Sequence, residues 1–312
     1  MVDREKLLMI VSDFRSAIAP LWSEETAYKV PEIAEYGPNI PGGQCAVTCL
    51  VLKDVLAGEF PNEPSFLVSG EVRSVNGEIL IGNHAWLKLS IGEDALLIDP
   101  TADQSPAIPD PVIIGTESEL TERGLQYIEK EVESGHGEHE HPRRSGRYNV
   151  LKCKYNELGW LNRAIAILRN GGIDISLLRA GVEKEPNMEP DFIVTCQGQL
   201  MGVEVTQAFD QKYDSGRKVD RRRFESEHNS ADLLADIQSR IDAKQSKHHH
   251  KKMYTVLLIV DRTEGSSLES TGADFSTLNC ADTPYKVIFF LKLWCWSSYP
   301  ALGSELIRLY PK

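Results

Sequence analysis

The sequence contains no CxxC pair, and its six cysteines are scattered at positions 45, 49, 153, 196, 280 and 295 of 312. A small secreted scaffold shows dense, regular cysteine spacing, so this usage excludes that class and predicts reduced thiols. Long apolar runs are also missing. The best candidate, VIFFLKLWCW, is broken by Lys292 and falls short of the roughly 18 residues of a membrane helix. Nor is there a secretory pattern near the start, because EKLLMIVSDFRSAIAP is interrupted by Asp13 and Arg15. Together these absences predict a cytoplasmic protein that does not enter a bilayer. No internal repeat and no long low-complexity tract is visible, which argues against a solenoid or propeller.

What is present is ordinary globular composition, 41% hydrophobic and 26% charged, in a chain long enough for two domains of roughly 150 residues each. The net charge of -12 is unevenly spread. Residues 1–140 hold 9 Lys and Arg against 25 Asp and Glu, whereas residues 141–312 hold 25 against 21. Only the second half is therefore expected near a phosphate backbone, with its basic residues clustered in GRKVDRRRF and KQSKHHHKK. Between the halves, SGHGEHEHPRRSGR replaces apolar periodicity with glycine, proline and charge. The expected division is a first domain over 1–135, a linker over 136–147 and a second domain over 148–312.

In the first half, Leu7, Ile10, Val11, Phe14 and Ile18 fall on one helical face. After the loop YGPNIPGGQ, the stretch CAVTCLVLKDVLAG reads as a buried helix with Cys45 at its N-terminus. SFLVSGEVRSV, GEILIG, HAWLKLSI and DALLID then read as four successive strands, with a hairpin turn at Asn76 and Gly77. A thiol becomes a nucleophile when a helix N-terminus and an imidazole lower its pKa, and the imidazole needs a carboxylate or amide to fix its tautomer. Cys45, His84 and Asp99 supply those three types, on a helix start, a strand start and the end of the next strand. The plain alternative is a buried apolar cysteine, a strand histidine and a turn-forming Asp-Pro.

The segments GGQCAVTCLVLKDVL, NHAWLKL and LIDPTADQ resemble the Cys, His, Asp series of the transglutaminase-like branch of the papain-like cysteine proteins, and in particular small bacterial proteins of the YunG type. The likeness covers about positions 42–104. It implies an α+β papain-like fold, with Cys45 as nucleophile, His84 as base, Asp99 orienting the imidazole, and no cofactor. Oxyanion donors stay open between Gln44 and Gln104, beside the Cys45 amide.

The second half offers a helix near Tyr155 to Arg169, and then the strand-like runs IDISLL, DFIVT, LMGVEVT, YTVLLIVD and YKVIFFLKLW. An amphipathic helix, SADLLADIQSRIDAK, separates the third and fourth, which predicts a mixed α/β sheet. EPDFIVTCQGQLMGVEVTQ sets Asp191 and Glu204 on adjacent strands, the outline needed to share a divalent cation, with Glu157 upstream as a third carboxylate.

Here Pro190-Asp191 and Glu204-Val205-Thr206 resemble the PD-(D/E)XK nuclease superfamily over roughly 150–265. The likeness implies a restriction-endonuclease-like domain, Mg or Mn held by Asp191 and Glu204, and nucleic acid as partner. Thr206 stands where that family has lysine, so Gln207 fills the role, Lys212 does, or the domain only binds. Three functional expectations follow: a cysteine hydrolase or acyl transferase acting on a protein or peptide-like amide, with a nuclease-like domain attached; a metal-dependent nuclease regulated by the cysteine domain; or an inert interaction protein. HGEHEH, with His136, His139 and His141, the triplet His248 to His250, and Arg221 to Arg223 read as solvated segments. Trp294 and Trp296 read as core or sheet-edge residues.

Overall fold

The computed structural model describes residues 3–23, 26–27, 43–91, 94–132, 146–181, 190–208, 230–245, 254–261, 273–280, 285–293 and 304–310. The chain divides into two compact units, Met1–Asn156 and Glu157–Lys312, each α+β. The linker expected over 136–147 lies outside the described residues except at Gly146 and Arg147, and the division falls further on, inside a helix.

In the first unit, α1 (Arg4–Ile18) starts where the Asp3 carboxylate accepts hydrogen bonds from the Glu5 and Lys6 amides, satisfying two otherwise orphan donors. Its buried stripe is Leu7, Val11, Phe14 and Ile18, with Arg15 drawn in beside them. Helix α2 (Cys45–Glu59) buries nearly a full circumference at its start, from Cys45 through Leu52, and packs on α1 and on two strands. That continuous burial explains why it reads as apolar without a clean stripe.

The sheet runs β4 (Ile113–Gly115), β3 (Asp94–Asp99), β2 (Ile79–Ile91), β1 (Ser65–Ser74), β5 (Leu125–Val132), with every pair antiparallel and the short helix α3 (Glu117–Glu122) between β4 and β5 in the chain. GEILIG and HAWLKLSI, expected as two strands, are one. The register steps from Gly70↔His84 to Val72↔Ile81, so the extra residue at Gly82–Asn83 is absorbed as a bulge instead of a turn. The turn at Asn76–Gly77 forms as expected, with Gly77 at φ 85°. Strand β5 has no counterpart in the sequence reading. Of its side chains only Tyr127 is buried, so the polar run LQYIEKEV lacks the alternation that marks a strand, yet it forms the sheet edge beside β1.

The helix that carries the division, α4 (Arg147–Asn170), begins eight residues before the expected Tyr155 and ends at Gly171–Gly172, ahead of the second unit's strands. Strands β6 (Ile175–Ala180), β7 (Phe192–Cys196) and β8 (Gln199–Gln207) form an antiparallel meander, turned tightly by Gln197 and Gly198, both at positive φ. Helix α5 (Ser230–Gln245) leads to β9 (Tyr254–Asp261), which lies parallel to β8, and β10 (Val287–Leu293) lies parallel to β9. An antiparallel edge strand, β11 (Ser304–Tyr310), completes the mixed six-stranded sheet. Leu233, Ile237 and Ile241 of α5 close over Leu257, Ile259, Ile288 and Phe290.

Candidate functional site

Each residue of the first-unit site is placed by a different element. Gly43, at φ 74°, turns the chain into α2 and puts Cys45 in the helix's first turn, where unsatisfied amides favour a thiolate. His84 stands on β2 opposite Gly70 of β1. A Cβ at Gly70 would lie 2.0 Å from the Ile128 carbonyl oxygen and 2.8 Å from the Trp86 indole, so this close approach of three strands requires glycine. Asp99 ends β3 on the other side of β2.

Tertiary packing brings the two distant residues together: His84 Nε2 lies 2.6 Å from Asp99 Oδ2, with both side chains fully buried. The carboxylate is held from all sides. Its Oδ1 accepts from the Thr101 amide at 2.9 Å and the Thr101 hydroxyl at 3.2 Å, and its Oδ2 accepts from the Tyr127 hydroxyl at 2.9 Å. Tyr127 is fixed in turn by an edge-on contact with Trp86. With Nε2 committed to Asp99, Nδ1 is the ring nitrogen left for the thiol. It makes no conventional hydrogen bond, and the group that acts on the imidazole besides Asp99 is Cys45.

Two cysteines one helical turn apart show what this arrangement does. Burial alone pushes the Cys45 thiol up, but the hydrogen bond and charge of His84, the Gln104 amide and the Ala85 backbone N–H outweigh it and bring the pKa below the ordinary thiol value. Burial also pushes Cys49 up, and there the Asp99 and Cys45 charges push the same way. Its thiol donates to the Ala85 carbonyl at 3.4 Å and stays protonated. For His84, burial disfavours the cation, yet the charge and hydrogen bond of Asp99, followed by Cys45, raise its pKa to about 10. The two shifts run in opposite directions, and both favour a thiolate beside an imidazolium.

The two glutamines differ. Gln44 donates its Nε2 to the Ser23 carbonyl at 2.9 Å, whereas Gln104 Nε2 is buried without a conventional partner. Gln104 ends a one-turn 3-10 helix, Ala102–Gln104, whose Asp103 is anchored to Arg15 of α1 at 2.7 Å. The Arg15 guanidinium also stacks over Trp22, 4.2 Å from the ring centroid.

In the second unit, Pro190 packs over Gly202 of β8, and the following Asp191 accepts a hydrogen bond at its Oδ2 from the Val205 amide at 2.8 Å. Glu204, 2% exposed, pairs with Lys244 of α5 at 2.8 Å. The Tyr285 hydroxyl is pushed up by burial, then by the charges of Glu204 and Asp191, which places both carboxylates in one neighbourhood. Glu157 is half-buried on α4 and is not gathered with them: among the described residues no three His, Cys, Asp or Glu side chains form a metal-holding group. Two carboxylates still meet the requirement of a magnesium ion that takes its other ligands from water and phosphate.

Gln207 is unsuited to stand in for the motif lysine. Strand β8 runs without a break through Gln207, so alternation turns its side chain to the face opposite Glu204. Lys212, His136, His139, His141, Arg221 to Arg223, His248 to His250, Trp294 and Trp296 lie outside the described residues.

Sequence reasoning missed Tyr127, Thr101 and Lys244. Thr101 carries a weak signal in the Asp-Pro-Thr turn, and Lys244, the one lysine of α5, sits in its last turn, where a basic residue reads as an exposed helix-end charge.

No family model, curated protein or solved structure matches this chain. Among the described residues no helix is long and apolar enough to cross a membrane. The five described cysteines are free thiols.

Proposed function

We propose that the first unit is a cysteine hydrolase or acyl transferase of papain-like, transglutaminase-like type, acting on an amide or related acyl bond of a protein or peptide-like substrate. The observation that carries this reading is the buried His84–Asp99 contact at 2.6 Å, together with the opposite shifts of Cys45 and Cys49 on one helix. A merely buried cysteine behaves like Cys49. The thiolate of Cys45 attacks the carbonyl carbon, forming a C–S bond while the carbonyl π pair moves to oxygen. Collapse breaks the C–N bond, and the His84 imidazolium gives its Nδ1 proton to the departing nitrogen. Water or a second nucleophile, deprotonated by the now neutral His84, then attacks the thioester and releases the thiolate. Asp99 holds the imidazole in one orientation throughout, fixed by Thr101 and Tyr127.

The test is labelling with iodoacetamide at pH 6, where ordinary thiols are almost wholly protonated. Cys45 is expected to be alkylated well ahead of Cys153, the exposed thiol, and His84→Ala is expected to abolish the preference. Equal labelling of the two in the wild type removes the reading.

A second reading belongs to the other unit, a restriction-endonuclease-like nuclease, and the Lys244–Glu204 pair favours it. Asp191 and Glu204 would hold Mg or Mn, which when bound supplies Lewis acidity and an activated water for phosphodiester cleavage. Lys244 is placed at the carboxylate that the motif lysine would accompany. Plasmid and single-stranded DNA are then cut with Mg or Mn, and cutting stops with a chelator and in Glu204→Gln. Cutting that persists in that variant removes this site.

A further inference from the structure

We infer that the Gln104 side chain is the oxyanion donor of the Cys45 site, its Nε2–H and the Cys45 backbone N–H together receiving the carbonyl oxygen of the acyl substrate. This rests on the reading of Cys45 as an acyl nucleophile and names the group that reading lacks. Gln104 is 8% exposed, and its Nε2 is one of the few buried side-chain polar atoms with no conventional hydrogen bond. Leaving such a donor unsatisfied costs about 1–3 kcal/mol, so a buried amide left open needs a use. The side chain also acts on the nucleophile, its interaction with the Cys45 sulfur being one of the causes that favour the thiolate.

Gln44, the competing candidate, is spoken for. Its Nε2 donates to the Ser23 carbonyl at 2.9 Å, and the atom it leaves unpartnered is Oε1, an acceptor that would repel an oxyanion. Gln104, by contrast, is carried on the same short segment as the orienting carboxylate. Asp99 is tied to Thr101, the Gln104 backbone N–H donates to the Thr101 carbonyl at 3.3 Å, and Asp103 is anchored to buried Arg15. One rigid turn therefore sets both the imidazole and the carboxamide relative to Cys45, which is the preorganisation that stabilises developing charge.

As the Cys45 sulfur bonds to the carbonyl carbon, the π pair becomes a lone pair on oxygen. That charge is met by Gln104 Nε2–H and by the first-turn amide of α2. On collapse the pair returns to re-form C=O, the C–N bond breaks, and His84 protonates the nitrogen.

The test compares two small reagents on Gln104→Ala and Gln104→Met, at a pH where Cys45 is fully thiolate. Iodoacetamide reacts by displacement and forms no oxyanion, whereas p-nitrophenyl acetate acylates through one. Acylation, read as the burst of p-nitrophenolate, is expected to fall roughly 10²- to 10³-fold in both variants. Alkylation of Cys45, read at its high-pH plateau so that any change in thiol pKa drops out, is expected to fall far less than acylation, and a retained plateau also shows that the site has folded. Methionine keeps much of the length and volume of glutamine without an N–H donor or a charge, so its loss reports the missing donor and not a cavity. Unchanged acylation, or an equal fall with both reagents, overturns the role of Gln104 while leaving Cys45 as nucleophile. Failure of the wild-type Cys45 to react with either reagent overturns the cysteine reading itself, and this inference with it.

Discussion

Tyr127 donates its hydroxyl hydrogen bond to the same oxygen of Asp99 that binds His84 Nε2. This oxygen is shared by an edge strand and a central strand, so the outermost strand of the sheet helps hold the imidazole. Removing the hydroxyl in Tyr127→Phe deletes a hydrogen bond to a charged group and is expected to cost about 1.5–3 kcal/mol in urea unfolding. With one competitor gone, Asp99 Oδ2 binds His84 more strongly, so the basic limb of the Cys45 alkylation profile is expected to move to higher pH. A profile unmoved from wild type would show that Tyr127 acts on stability alone.

His84 links stability to pH. Its folded-state pKa of about 10 lies above the ordinary value of 6.5, so its contribution is complete below pH 6.5 and is lost as the pH rises towards 10. Cys45→Ala removes the coupled thiol and leaves Asp99 as the cause. In that background the unfolding free energy is expected to decline between pH 6.5 and 10, relative to the same variant carrying His84→Asn. A difference independent of pH over that window contradicts a protonated His84.

Asp99 accepts four hydrogen bonds in a fully buried position. Asp99→Ala strands His84, Thr101 and Tyr127 and is expected to destabilise by about 3–5 kcal/mol. Asp99→Asn keeps the shape but removes the charge that supports the imidazolium. Its Cys45 is expected to lose preferential alkylation at pH 6 while the protein stays folded by circular dichroism, and retained preference would remove Asp99 from the site.

Gly70 is required by the approach of β5 and Trp86. Gly70→Ala is expected to lower stability by about 1–3 kcal/mol and to slow Cys45 alkylation by shifting β2 at His84. A melting temperature equal to that of wild type would mean that the strands part without cost.

In the second unit, Lys244→Met removes the ammonium that pairs with the buried Glu204 carboxylate, with an expected loss of about 3–5 kcal/mol. Adding Glu204→Gln is expected to restore most of that. A double-mutant cycle in urea measures the coupling, and an additive result would show that the pair contributes nothing as a pair.

The elements whose physics is local were legible in the sequence. The α1 stripe, the Asn76–Gly77 turn and the α5 face follow from periodicity and turn chemistry, and each forms at its expected place. Cys45, His84 and Asp99 were legible as residue types at suitable element ends. Asp99 beside His84 was expected from neighbouring strands, but the register that sets their contact was not, because it depends on β2 running unbroken through Gly82 and Asn83 with β3 alongside, and a bulge leaves the same local signal as a turn. Strand β5 was invisible because an edge strand does not need an apolar face, so Tyr127 gave no sign of reaching Asp99. Likewise the sequence offered Gln44 and Gln104 as equals, and only the fold tied one to the Ser23 carbonyl and left the other buried against the nucleophile. Local composition determined which groups this protein carries. Which of them share a hydrogen bond was decided by long-range strand pairing, since burial and register act between residues far apart in the chain.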